Sequence, residues 1–348
     1  MEVQPNILGA FTKLGSFLRE FCEDSVSQNH HWSKALEKAI IKAGQQNGWF
    51  TKNNVLEALN SWGTLLTKIN LEAWLSPYHI SKDFNNKTIA IIMAGNIPLV
   101  GFHDFLAVLI TGNRVIGKLS SNDAVLLPFL VTYLLDTEPL LKKKIHLTQE
   151  KLERFDAVIA TGSNNTSRYF DYYFGKYPNI IRRNRNSIAV LTGNESIEEL
   201  KLLGNDVFQY FGLGCRSVSK IFIPKNFELK HFFEAIFEFQ DVVNNHKYAN
   251  NYDYNKAVFL MSEFKILDNN FLLLKEDKSY ASPIGTLYYE YYDTMDSLNM
   301  RLKSEASELQ CIVGNSAVSN SIPFGTTQTP DLTDYADSVD TIQFLLNL

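Results

Sequence analysis

Cysteine is scarce. Cys22, Cys215 and Cys311 are the only three in 348 residues. Their wide spacing excludes a disulfide framework and a thiolate metal site, and it fits a reducing, cytoplasmic setting. No run of about 18 apolar residues occurs, so no membrane span is expected. The start, Met1-Glu2-Val3-Gln4-Pro5, lacks the basic residues and apolar core of a signal peptide. Basic charge is not in excess either. Lys and Arg number 33 against 38 Asp and Glu, a net −5, which argues against nucleic acid as a partner. Neither Gly-x-Gly-x-x-Gly nor a Walker run is present, so the two usual phosphate fingerprints are missing. There is no internal repeat and no low-complexity stretch.

What remains is a globular composition, 45% apolar and 20% charged. Residues 1–80 read as helices. Ile7, Phe11, Leu14, Leu18 and Phe21 recur at helical spacing, as do Leu36, Ile40 and Ile41, and then Val55, Leu56, Leu59, Trp62, Leu65 and Leu66. These stripes predict packing helices, or in part the walls of a channel for a greasy substrate. From residue 86 the texture changes to short apolar runs at 88–93, 114–118, 156–160 and 187–191. Helical spacing separates them at 99–111, 123–136 and up to about 174. That β-α rhythm predicts a parallel sheet covered by helices, with ligands at the C-terminal strand ends. A strand at 219–224, an aromatic helix over 227–243 and a second α/β unit to about 325 follow. The tail, acidic and then apolar, predicts a short closing strand or helix.

Chemistry concentrates at the predicted strand ends. Cys215 stands in Gly212-Leu213-Gly214-Cys215. Two glycines leave the backbone bare, so that a carbonyl can approach and a backbone N–H can meet it. Arg216 and Lys220 follow closely and favour a thiolate. No histidine lies nearby in sequence, which points to a thiol activated by its surroundings rather than a Cys–His pair. Asn96, in Ala94-Gly95-Asn96-Ile97-Pro98, is either a turn asparagine or an amide aimed at an oxyanion. Lys118, with Ser120 and Ser121 after it, is either solvated or holds a nucleotide ribose. Thr161-Gly162-Ser163 is an ordinary helix start or a phosphate turn. No residue set suggests a metal.

In this order, these elements resemble the aldehyde dehydrogenase superfamily. Ala94-Gly95-Asn96-Ile97-Pro98 is similar to its Pro-Trp-Asn-Phe-Pro, and Gly112-Asn113 with Lys118-Leu119-Ser120 to its Gly-Asn and Lys-Pro-Ser. Thr161-Gly162-Ser163 is similar to its Thr-Gly-Ser. The run from Gly212 through Cys215 to Ser219-Lys220 is similar to Gly-Gln-x-Cys-x-x-x-Ser-Arg, and Pro323-Phe324-Gly325 to its late Pro-Phe-Gly. A closer resemblance is to the acyl-CoA reductase branch that includes the fatty-acid reductase component of bacterial luminescence. It rests on the Asn96 and Cys215 runs, on Ala281-Ser282-Pro283-Ile284 with Tyr289-Glu290-Tyr291-Tyr292, and on the run Pro323 to Pro330.

The resemblance implies an α/β, aldehyde dehydrogenase-like fold. Its parts would be a helical region over 1–85, a Rossmann-like cofactor domain over 86–211, a smaller catalytic domain over 212–325 and a tail over 326–348. It implies Cys215 as nucleophile and Asn96 as oxyanion donor. Lys118, Ser120, Ser121, Gly162 and Ser163 would contact the nucleotide. Two departures from the superfamily pattern carry information. Hydrolytic members place a water-activating glutamate where this chain has Arg182-Arg183-Asn184-Arg185-Asn186, so a thioester should resist water here and pass to reduction. NAD-preferring members place a ribose-binding glutamate where Ser121 stands, which leaves room for a 2′-phosphate and favours NADPH over NADH. The glutamate for the nicotinamide ribose is missing from 278–283, and Glu290 is only a stand-in.

The reaction the resemblance implies is reduction of a long-chain fatty acyl thioester, with coenzyme A as leaving group; the abundant aromatics either line a long apolar acyl tunnel or simply form core. Arg182, Arg183 and Arg185 would attract the coenzyme A phosphates, or merely form a solvated basic strand entry. The substrate would be acyl-CoA or an acyl carrier, with an acyl-transfer or synthetase protein as a conceivable partner. Two other readings stay open. One is a short-chain CoA-acylating dehydrogenase, and the other a protein that binds or transfers acyl groups without redox chemistry. The superfamily assembles through an inserted hairpin and a tail strand, which makes a homodimer one arrangement to expect.

Overall fold

The computed structural model describes residues 5–23, 30–80, 86–162 and 164–348. The chain forms two compact units, residues 1–183 with 331–348, and residues 184–330.

The first unit opens with four helices, α1 (Pro5–Cys22), α2 (His30–Gln46), α3 (Lys52–Leu65) and α4 (Lys68–Leu75). Thr51 and Thr67 cap α3 and α4, each hydroxyl accepting the backbone N–H three residues on. The apolar stripes are core. Phe11, Leu14, Leu18, Leu36, Val55 and Leu59 are fully buried against one another and against the two helices that follow. The exception is Ile41, which is exposed. Five parallel strands come next in sequence: β1 (Thr88–Ile92), β2 (Arg114–Lys118), β3 (Ile145–Thr148), β4 (Ala157–Thr161) and β5 (Asn179–Arg182). Helices α5 (Phe102–Ile110), α6 (Leu126–Thr137) and α7 (Asn164–Phe174) connect them. The spatial order is β3-β2-β1-β4-β5. The chain therefore winds outward from β1 on one side and returns to β4 on the other. That reversal creates a topological switch point between β1 and β4, the position where doubly wound sheets bind ligands. Helices α5 and α6 cover one face, while Phe170 and Phe174 of α7 cover the other with Phe155.

The second unit holds β6 (Asn186–Val190), β7 (Val218–Pro224), β8 (Ile266–Asp268), β9 (Leu273–Glu276), β10 (Thr286–Tyr292) and β11 (Leu309–Val313). They form one sheet in the order β11-β6-β7-β10-β9-β8, antiparallel only between β8 and β9. Its helices are α8 (Ile197–Phe208), α9 (Leu229–Ala235), α10 (His246–Met261) and α11 (Met295–Ser304). Residues 187–191, read from the sequence as the fourth strand of the first sheet, belong here. β6 pairs with β7 and β11, so the division falls after Arg183 rather than after 211.

The tail corrects the expected 326–348 segment as well. Residues 331–348 return to the first unit and end as α12 (Thr341–Leu346). Leu332, Ile342 and Leu345 are buried there. Trp74 Nε1 donates to the Tyr335 hydroxyl at 2.7 Å, and the Tyr78 hydroxyl lies 2.8 Å from that of Tyr335 and donates to Asp340 at 2.7 Å. His103 sits under this lattice with Nε2 2.9 Å from the Leu332 carbonyl oxygen, and burial lowers its pKa. No helix is long and apolar enough to cross a membrane among the described residues.

Candidate active site

In the first unit, the predicted nucleotide residues gather at the C-terminal ends of β1, β2 and β4. The Met93 N–H donates to the Lys118 carbonyl oxygen, which closes β1 against β2. Beyond it the two following loops touch. A Cβ on Gly95 would come within 2.5 Å of the Ser120 Oγ, so only glycine allows this approach. Ser120 Oγ accepts from the Asn122 N–H at 3.2 Å, and Ser121 is exposed. Gly162 is equally constrained, since a Cβ there would meet the Phe170 ring at 2.9 Å and Thr166 at 3.0 Å. Glycine thus lets α7 start close under β4. Ser163 lies outside the described residues.

Three residues that fix these loops are not legible as site residues. Asn47, buried just past α2, donates from Nδ2 to the carbonyls of Gly95 (3.4 Å) and Asn122 (3.3 Å). Its neighbour Gln46 donates to the Ser121 carbonyl at 2.7 Å. Asp123, also buried, accepts at 3.0 Å from the N–H of Leu99, which stands at φ 58° just after the Asn96 turn. A leucine in the left-handed region costs roughly 1–2 kcal/mol, and this bond helps to hold it there.

Burial raises the Asp123 carboxyl to about 6, with the Leu99 and Leu126 N–H groups opposing. An ordinary aspartate ionises near 4. The folded chain therefore binds this proton more tightly than the unfolded one. Its contribution to stability is whole below about 4, is lost as pH rises through about 6, and amounts to roughly 3 kcal/mol. Asp123→Asn keeps an accepting carbonyl and removes the charge. Urea unfolding should find it more stable than the parent above pH 6.5 and level with it near pH 4. A difference independent of pH would refute a buried charge.

The arginines separate. Arg182 is buried, forked onto both carboxylate oxygens of Asp104 and 3.2 Å from the Thr341 hydroxyl. That guanidinium is sealed among α5, β5 and α12, so its predicted role in phosphate binding is corrected to a structural one. Arg183 is exposed beside Asp171 (3.2 Å). Arg185 belongs to the second unit and reaches the Leu309 carbonyl at 3.4 Å.

Cys215 lies in the second unit, exposed, on the turn leading into β7. The chain reaches it through three successive left-handed residues, Tyr210 (φ 53°), Phe211 (φ 58°) and Gly212 (φ 73°). Two of them carry side chains, so the approach stores a few kcal/mol of strain. The Ser217 N–H donates to the Gly214 carbonyl at 3.0 Å and closes the turn. The loop around Pro323-Phe324-Gly325 packs on this turn. Buried Asp206 accepts from the N–H groups of Gly325 (2.7 Å) and Thr327 (3.0 Å), and burial raises its pKa. Arg216 donates Nε to the Thr327 carbonyl, and Gln328 reaches the Ser217 hydroxyl at 3.2 Å. The late motif is thus a brace for the cysteine turn.

The nearby cations are engaged elsewhere. Lys220 is fully buried, donating to Glu290 and to the Lys278 carbonyl (2.8 Å). Glu290 gives its other oxygen to Arg301 at 2.6 Å. Lys220 is therefore neutralised by Glu290 rather than left to favour a thiolate. The same two bonds take Glu290 out of the ribose role that the sequence suggested for it. Among the described residues no group of three or more His, Cys, Asp or Glu is placed to hold a metal ion.

A profile of the acyl-CoA reductase (LuxC) family matches residues 17–271. The chain belongs to that family. It is accordingly an oxidoreductase of acyl and aldehyde groups, and the match runs through the Asn96, Gly162 and Cys215 runs alike. Solved structures agree on the fold. Aldehyde dehydrogenase 21 from Physcomitrella patens, in complex with succinate, is similar at a TM-score of 0.68 and 11% identity, over 98% of this chain and 83% of that one. The P. syringae indole-3-acetaldehyde dehydrogenase AldA, in a complex with NAD+ and IAA, gives 0.61 and 10% over 90% and 79%. The aldehyde dehydrogenase KauB from Pseudomonas aeruginosa gives 0.61 and 12% over the same shares. No curated relative matches the sequence. The LuxC-family chain thus has the aldehyde dehydrogenase fold.

Proposed function

We propose that the protein reduces a long-chain fatty acyl-CoA to its aldehyde with NADPH, through an acyl group carried on Cys215. The observation that carries this is the exposed Cys215 on a strained, braced turn, in a chain of the acyl-CoA reductase family.

The residues at the switch point suit a dinucleotide. Gly95 and Gly162 bare the backbone where β1 and β4 end, and Lys118 brings a cation to the adjacent strand end. Lys118, Ser120 and Ser121 would hold the adenosine ribose, and Gly162 with Ser163 the pyrophosphate. No carboxylate stands at 119–122 to repel a 2′-phosphate, which supports NADPH. When bound, the nicotinamide supplies hydride to the acyl carbon.

The chain's own residues do the rest. The Cys215 sulfur, having lost its proton, forms a bond to the thioester carbonyl carbon. The resulting oxyanion accepts the Cys215 N–H, and the resemblance assigns a second donor to the Asn96 amide. Collapse breaks the bond to the coenzyme A sulfur, which leaves with a proton. The acyl group stays on Cys215, and after reduction at its carbon it leaves as aldehyde, freeing the thiolate. The stretch 182–186 contains no carboxylate to activate water, so hydrolysis of the acyl-cysteine should be slow.

Mass spectrometry after mixing with palmitoyl-CoA, without reductant, should find one acyl group on the peptide containing Cys215. Adding NADPH should discharge it as aldehyde, faster than NADH does. No adduct on Cys215 would overturn the covalent route.

A further inference from the structure

The sheet of the second unit is irregular on both sides of one residue. The β6–β7 register shifts between Ser187 and Ile188. The β6–β11 register shifts between Leu309 and Ile312, across the same part of β6. Ser187 itself is fully buried. Its hydroxyl donates to the Cys215 carbonyl oxygen at 2.9 Å and accepts from the Cys311 N–H at 3.1 Å. A strand N–H that an unbroken ladder would bond to a neighbouring carbonyl meets this side chain instead. Bulges recur beside active sites because they re-aim what the strand presents. Here both irregularities admit one hydroxyl between β11 and the cysteine turn.

We propose that Ser187 is a positioning residue for the nucleophile. Two peptide planes flank the Cys215 Cα. The plane shared with Gly214 is pinned by the Ser217 N–H on the Gly214 carbonyl at 3.0 Å. The plane shared with Arg216 is pinned by the Ser187 hydroxyl on the Cys215 carbonyl. Fixing both planes fixes φ and ψ of Cys215, and with them the direction of its Cα–Cβ bond and of its N–H. Those two directions aim the sulfur and the oxyanion donor at one carbonyl group. Ser219 extends the arrangement, its hydroxyl lying 3.3 Å from the Ser187 carbonyl and donating to Tyr280 at 2.8 Å.

The inference rests on Cys215 as the acyl-accepting nucleophile, and the experiment separates the two. Single-turnover acylation by palmitoyl-CoA and alkylation by iodoacetamide are both followed at Cys215 by peptide mass spectrometry. Acylation needs an aligned attack, whereas alkylation by a small reagent tolerates a loose thiol. Ser187→Ala should slow acylation by about 10- to 100-fold and leave alkylation within about threefold, since misplacing a reacting group by an ångström costs that much. Ser187→Thr, which keeps the hydroxyl, should recover most of the acylation rate. If the alanine variant does not fold, Ser187→Cys conserves volume, weakens both hydrogen bonds and carries the same comparison. Equal acylation in the parent and in the variant lacking the hydroxyl overturns the positioning role while Cys215 keeps its own. A parallel fall in both reactions reduces Ser187 to a packing residue and overturns it too. Absence of any acyl adduct in the parent removes both assignments.

Discussion

Cys215→Ala should abolish acyl-CoA-dependent oxidation of NADPH, with a fall in kcat on the order of 10⁴–10⁶, the scale seen when a covalent nucleophile is deleted. The substitution removes one exposed sulfur from a turn whose backbone is held by other groups. Exposed substitutions of this kind alter stability by about 0.5 kcal/mol or less. The thermal midpoint should therefore stay within a degree or two, and NADPH should still shift it upward, because the residues proposed to hold the nucleotide, Lys118, Ser120, Ser121 and Gly162, are untouched. Cys22→Ala and Cys311→Ala serve as comparisons. Burial pushes the Cys22 thiol up to about 11, so it is not poised as a thiolate, and Cys311 is buried in β11, away from a substrate. Residual turnover above a thousandth of the parent rate in Cys215→Ala would place the acyl transfer elsewhere.

Much of this arrangement was legible in the sequence, for physical reasons that also mark the limits. The apolar runs that became β1, β4 and β7 are central strands, largely buried on both faces, and such strands are written as near-continuous hydrophobic residues, while β2 shows itself by Val115 and Ile116 alone. The edge strands β3 and β5 carry no such signal. They are four residues each, and β5 carries Asn179 and Arg182 within it. Strand β6 was legible as a strand but not as a member of the second sheet. Local rhythm says that a strand follows a helix, and nothing in it says which edge the strand joins. The 227–243 stretch read as one helix and is two, α9 followed by a 3-10 segment over 237–244, because its aromatic spacing does not keep one period.

The site divides in the same way. Gly95, Gly162, Asn96 and Cys215 stand in short runs whose residue types have local reasons. Asn47, Asp123, Asp206 and Ser187 act across tens to more than a hundred residues of sequence. Their partners are backbone N–H and carbonyl groups, which carry no residue signature. The basic stretch at 182–186 shows the hazard most plainly. Its composition suggests a phosphate site, and its first member turns out to be one half of a buried ion pair.

That pair supports the second large effect. Asp104 and Arg182 are each almost wholly buried, and with Thr341 they join α5, β5 and α12. The net value of a buried pair is modest, because two desolvated charges repay little more than their transfer from water. Breaking it is another matter. Asp104→Ala leaves a guanidinium inside the core with its main counter-charge gone, at a cost of roughly 3–5 kcal/mol. For a unit of this size that lowers the thermal midpoint on the order of 10 °C. Hydrogen exchange should rise first in 341–346, since the Thr341 hydroxyl is held by the same arginine. The double variant Asp104→Leu with Arg182→Met removes both charges and fills similar volume, and it should regain most of the loss. High salt should change neither result, because ions do not screen a pair they cannot reach. A fall below 1 kcal/mol in Asp104→Ala would mean that the pair is wet, and the guanidinium would then return as a candidate for the coenzyme A phosphates.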